Sequence, residues 1–106
     1  MMPSDWEKII TEKEKNIFGE IVELAKQHGA NKIVLFGSRA RRTHHPKSDI
    51  DLAVYGCRNF RDFSFDVDEK TRTLLQFDFV NMDGKVSDAL RKEIERDGIT
   101  LYEKIS

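Results

Sequence analysis

The sequence has 106 residues, 39% apolar and 35% charged, with a net charge of −1. This fits one domain over 1–106 with a modest core; no apolar run is long enough to cross a membrane, and there is no bulk electrostatic case for nucleic-acid binding. A single cysteine, Cys57, excludes an internal disulfide, and with no signal peptide the expected address is cytoplasmic.

Residues 1–4 read as a loose end, and Ser4 or Asp5 can cap a helix starting near Trp6. Ile9, Ile10, Ile17, Ile21, Leu24 and Ala25 form an apolar stripe at helical spacing, and Gly29 is placed to end it. The wholly charged run 12–15 allows a break between Thr11 and Asn16. This segment reads as a structural helix packed on a sheet.

Residues 33–36, Ile-Val-Leu-Phe, suit a buried strand. Gly37 lets the backbone turn sharply and approach a ligand, and Ser38 suits the N-cap of a short helix over 39–42. A helix start presents free N–H groups and a positive dipole end, which suits phosphate, and the Ser38 hydroxyl and nearby arginines can add to it. Positive charge gathers here at Arg39, Arg41, Arg42 and Lys47. Residues 43–48 read as a loop around Pro46, with Lys47 and Ser48 within reach of a phosphate. His44 and His45 are adjacent and read as solvated loop residues.

A second strand runs over 49–54. Period-2 alternation puts Asp49 and Asp51 on one face, with Cα atoms roughly 6–7 Å apart, and turns Ile50 and Leu52 to the core. At about 6 Å and an effective dielectric near 20 their repulsion is on the order of 3 kcal/mol, or about two pKa units. A divalent cation relieves it, and hard oxygen ligands with positions open to phosphate suit Mg²⁺. Carboxylates that bridge two metals can clamp the attacking and leaving oxygens of a nucleotidyl transfer.

Residues 56–59 form a turn, and Asn59 can cap a helix over 60–75. Phe60, Phe63, Val67, Thr71 and Leu74 or Leu75 mark its core face, while Phe65 falls off that stripe. A third strand is expected over 75–81. Its Asp78 has two readings: a surface residue of an edge strand, or a carboxylate beside Asp49 and Asp51. Lys85 or Ser87 starts a last helix to Asp97 with Val86, Leu90 and Ile94 inward; Gly98 stops it, and 99–102 is a β-type tail.

The pattern Gly37-Ser38-x10-Asp49-x-Asp51, with both halves flanked by strands, resembles the signature of the nucleotidyltransferase superfamily that shares its palm-like fold with DNA polymerase beta. With the short length and Arg39-Ala40-Arg41, the chain is most similar to the minimal nucleotidyltransferases over roughly 17–103. The resemblance implies an α+β fold, a small mixed sheet flanked by helices. It also implies a two-metal Mg²⁺ site at Asp49 and Asp51. The acid at Asp78 would match the family's third carboxylate, which binds metal and helps deprotonate the attacking hydroxyl. Gly37 and Ser38 would cradle the β- and γ-phosphates of a nucleoside triphosphate, with ATP implied as donor.

Small members of this family partner helical HEPN-type or substrate-binding proteins, and some act as antitoxins. The resemblance therefore implies transfer to a hydroxyl on, or presented by, such a partner, and allows a homo- or hetero-oligomer. Two alternatives stay open: an interaction module or antitoxin that works by binding alone, and an aminoglycoside-type small-molecule nucleotidyltransferase. The phosphate-loop and dinucleotide glycine motifs and zinc-ligand spacings are absent.

Overall fold

The computed structural model describes residues 10–71 and 73–105. In chain order these form α1 (Glu12–Gln27), β1 (Lys32–Phe36), α2 (Gly37–Arg41), β2 (Ile50–Tyr55), α3 (Phe60–Lys70), β3 (Phe77–Asn81), α4 (Asp88–Asp97) and β4 (Ile99–Glu103). The strands make one mixed sheet in the order β3-β2-β1-β4. β1 pairs antiparallel with both β2 and β4, while β2 and β3 are parallel, joined through α3. This is the α+β arrangement, a small mixed sheet flanked by helices, that the resemblance implied.

The two central strands are buried almost throughout, as their near-continuous apolar sequences require. One sheet face carries Ile33, Leu35, Ile50, Leu52, Val54 and Leu101, and packs against Ile17, Phe18, Ile21, Leu24 and Ala25 of α1 and Phe63 and Val67 of α3. The other carries Val34, Phe36 and Ala53, covered by Met82 and by Ile94 of α4. Asp51 belongs to this second face, because it alternates with Ile50 and Leu52.

α1 begins where a Thr-x-x-Glu capping box dictates. The Thr11 hydroxyl accepts from the Glu14 N–H, and the Glu14 carboxylate accepts from the Thr11 N–H. The helix is continuous from Glu12, so the charged run that allowed a break is its first turn. The expected start near Trp6 lies outside the described residues. Gly29, at φ +71°, ends α1 as expected: its N–H and that of Ala30 return to the carbonyls of Lys26 and Ala25.

Several boundaries differ from expectation. α2 starts at Gly37 with Phe36 at the cap position, so Ser38 lies inside the helix and caps nothing. β2 starts at Ile50, which leaves Asp49 in the connection just before it. α3 stops at Lys70 rather than Leu75, and β3 starts at Phe77. Leu74 is consequently fully exposed between them instead of on a helix's core face. Ser87 caps α4 as expected. Gly98 ends it in an extended conformation, φ −65°. A glycine is needed there for space, because an added Cβ would overlap the Ile94 carbonyl and Val34. Among the described residues no helix is long and apolar enough to cross a membrane.

Candidate functional site

The site lies where the ends of three strands meet. β1 leads into Gly37, whose φ of +73° puts it in the left-handed region. A Cβ added there would overlap the Asp51 carboxylate. Two strand pairings set this approach: Asp51 lies opposite Phe36, the residue before Gly37, and on its other side opposite Asp78. Sheet register thus places the two carboxylates side by side on the α4 face. Asp49 stands immediately before β2 and is exposed, as is Asp78.

The electrostatics follow from this crowding. Burial, then the charges of Asp78 and Asp49, push the Asp51 carboxyl up to about 6 from 3.8, and Asp78 lies within hydrogen-bond reach of it. Glu93 of α4 adds to the same negative field. A carboxylate held this far above its ordinary value is short of positive charge. Asp78 is exposed on the edge strand β3 and is also the register partner of Asp51.

The expected basic cluster divides. Arg39 is buried, with its guanidinium bonded to Glu14 and to the carbonyls of Pro46 and Ser48. Its expected part in binding nucleotide is therefore replaced by a contact inward, to α1 and the loop. Arg42 also turns to Glu14, at 2.8 Å, and Arg41 lies 3.6 Å from Glu93 and 3.7 Å from Asp97. Lys47 is exposed and, among the described residues, makes no ion pair. The Ser48 hydroxyl accepts from the His45 N–H, and Ser38 is half-buried beside Gly37. His44 is half-buried with its Nε2 3.7 Å from Glu14, so it is not the solvated loop residue expected; His45 is exposed.

The family model for polymerase beta nucleotidyltransferases matches residues 19–106. The chain belongs to this nucleotidyltransferase family. No curated protein matches the sequence. Several solved structures share the fold. A minimal nucleotidyltransferase superposes with a TM-score of 0.67 at 24% identity, over 83% of this chain and 92% of that one. A toxin–antitoxin complex with AMP-PNP gives a TM-score of 0.65 at 23% identity, over 82% and 73%. The MNT antitoxin complex with a tri-AMPylated HEPN toxin of Shewanella oneidensis gives 0.62 at 19%, over 86% and 73%. At these identities the likeness is one of fold.

The acids gathered here are hard oxygen donors, the ligand type that Mg²⁺ takes. Among the described residues no group of three or more His, Cys, Asp or Glu side chains is placed to hold a metal ion. The available set is open instead: Asp51 and Asp78 adjacent, Asp49 at the rim, and a glycine-lined approach at Gly37. Mg²⁺ favours such a set, because it keeps several positions for water and phosphate oxygens.

Sequence reasoning missed Glu14 and Glu93. The Thr11-x-x-Glu14 capping box was a usable signal for the position of Glu14, although not for its arginine partners. Nothing in the sequence marked Glu93 apart from the other charged residues of its helix.

Proposed function

We propose that this domain is a Mg²⁺-dependent nucleotidyltransferase that transfers a nucleoside monophosphate, AMP in the first instance, to a hydroxyl presented by a helical HEPN-type partner, as the antitoxin of a toxin–antitoxin pair. The observation that carries the reading is the register that sets Asp51 beside Asp78, directly against the glycine turn at Gly37. The HEPN partner and the AMP donor are supported by the complexes that share the fold.

In this reading Asp49, Asp51 and Asp78 hold the metal ions. Bound Mg²⁺ would supply charge neutralisation for the triphosphate and the leaving pyrophosphate. Gly37 and Ser38 bring the start of α2 against the β- and γ-phosphates, and Lys47 and Ser48 border them from the loop. The acceptor oxygen forms a bond to the α-phosphorus, the bond to the bridging oxygen breaks, and pyrophosphate departs. The hydroxyl proton passes to a carboxylate, for which Asp78 is the candidate base. Most of the acceleration comes from positioning and charge stabilisation, as in phosphoryl transfer generally.

The test is incubation with α-labelled ATP, Mg²⁺ and a HEPN-type partner. The wild type should label the partner, and Asp51→Asn should lower the rate by at least about 100-fold. Absence of label with all four nucleoside triphosphates, together with full neutralisation of the partner by Asp51→Asn, would instead identify a module that acts by binding alone.

A further inference from the structure

Arg39 reaches from α2 into the connection that carries Asp49. Its Nε and Nη2 donate to the Ser48 carbonyl at 3.1 and 3.0 Å, and Nη2 donates to the Pro46 carbonyl at 3.1 Å. Nη1 donates to Glu14 at 2.9 Å. The Ser48 carbonyl belongs to the same planar peptide unit as the Asp49 N–H. On the other side of Asp49, the Ile50 N–H donates to the Gln76 carbonyl at 2.9 Å, where the β2–β3 pairing begins. Asp49 therefore hangs between two tied peptide planes, one held by the sheet and one by a side chain.

The side chain is itself locked. Arg39 and Glu14 are each only 3% exposed. Glu14 also accepts from both terminal nitrogens of Arg42, at 2.8 and 3.0 Å, and from the Thr11 N–H. The Arg42 Nη1 donates back to the Arg39 carbonyl. Among the described residues no other side chain bonds the carbonyls of Pro46 and Ser48. A planar fork with fixed donor directions can hold two carbonyls and a carboxylate at once, and a lysine ammonium cannot reproduce that geometry.

We propose that Arg39, locked by Glu14 and Arg42, is a positioning residue. It fixes the Ser48–Asp49 peptide, and so sets where the Asp49 carboxylate stands relative to Asp51, without itself meeting nucleotide. One guanidinium thereby ties the glycine half of the two-part motif to its acidic half across the ten-residue spacer. The inference rests on the proposed transferase reading for its kinetic consequence, but not for its structural one.

The test compares wild type with Arg39→Lys, well below either melting temperature, by amide hydrogen exchange and by transfer kinetics per folded molecule. Exchange at residues 47–50 should rise at least tenfold, while the β2 interior at 52–54 stays protected. The kcat should fall at least tenfold, with the KM for Mg²⁺-ATP changed less than threefold. A residue that served stability alone would leave kcat per folded molecule intact. Unchanged exchange at 47–50, unchanged kcat despite faster exchange, or a tenfold rise in KM with kcat intact would each overturn the proposal. If Arg39→Lys does not fold, Glu14→Gln removes the charge that locks the fork and should give the same signature in smaller degree. If the wild type transfers nothing, the transferase reading falls, and the exchange comparison still decides whether Arg39 holds Asp49.

Discussion

Asp51 is half-buried and Glu14 buried, and their neighbours drive these two acids in opposite directions. Asp51 is raised to about 6 by burial and by the charges of Asp78 and Asp49. For Glu14, burial alone would raise the carboxyl, but hydrogen bonds from Arg42, the Thr11 backbone and Arg39 outweigh it and hold it at about 2. A group whose folded value is raised stabilises the fold below its unfolded value and loses that contribution as pH rises through the folded one. Asp51 therefore favours the metal-free fold below pH about 4 and ceases to do so above about 6. Glu14 does the reverse: its contribution is present above 4.5 and is lost as pH falls toward 2. The difference in urea stability between Asp51→Asn and wild type without metal isolates the first effect. It should grow in favour of the variant by about 1–2 kcal/mol between pH 4 and 7, after allowance for solvent screening. A difference independent of pH would show that Asp51 is not crowded as described.

At the scale of elements, the junction between β1 and α2 is set by one glycine. Gly37 combines a left-handed backbone with direct approach to Asp51 on the neighbouring strand. Gly37→Ala should cost about 1–2 kcal/mol for the backbone conformation, with a further penalty for displacing Asp51. Thermal melting would report the loss of stability. Transfer should fall more steeply than stability, and an alanine variant with normal transfer would remove Gly37 from the site. The sequence pointed to this junction because Gly-Ser after an apolar run is a strong break signal. It misplaced Ser38, since choosing a cap residue by its side chain overlooks a helix that begins two residues earlier than expected, at Gly37, on a backbone only glycine adopts readily. It overextended α3 for a related reason: Thr71, Leu74 and Leu75 continue a helical stripe, but the helix ends at Lys70 so that the chain can enter β3 parallel to β2.

At the scale of the whole molecule, four elements converge on one end of the sheet, and a ligand bridging them should stabilise the fold. Ligand at about 100 times its dissociation constant adds roughly 2.7 kcal/mol, on the order of 10 °C or more in a domain of this size. Mg²⁺-ATP should raise the melting temperature by that order in the wild type and not in Asp51→Asn. Equal shifts in both proteins, or a shift without Mg²⁺, would place the nucleotide away from the acids.

The two-part motif, the strands on either side of it and the acids at Asp49 and Asp51 were legible in the sequence because each is local. Alternation and turn chemistry act over a few residues, and the spacing of Gly37 from Asp51 is fixed along the chain. What lay beyond the sequence was every relation that depends on which distant elements become neighbours. That Asp78 stands beside Asp51 follows from a parallel register between β2 and β3. That Arg39 turns inward follows from Glu14, 25 residues earlier in the chain, arriving on α1 as a buried carboxylate. A guanidinium on an exposed loop and one in a buried cluster have the same sequence context, and only the packing of α1 against the loop makes the ion pair the better partner than solvent or phosphate.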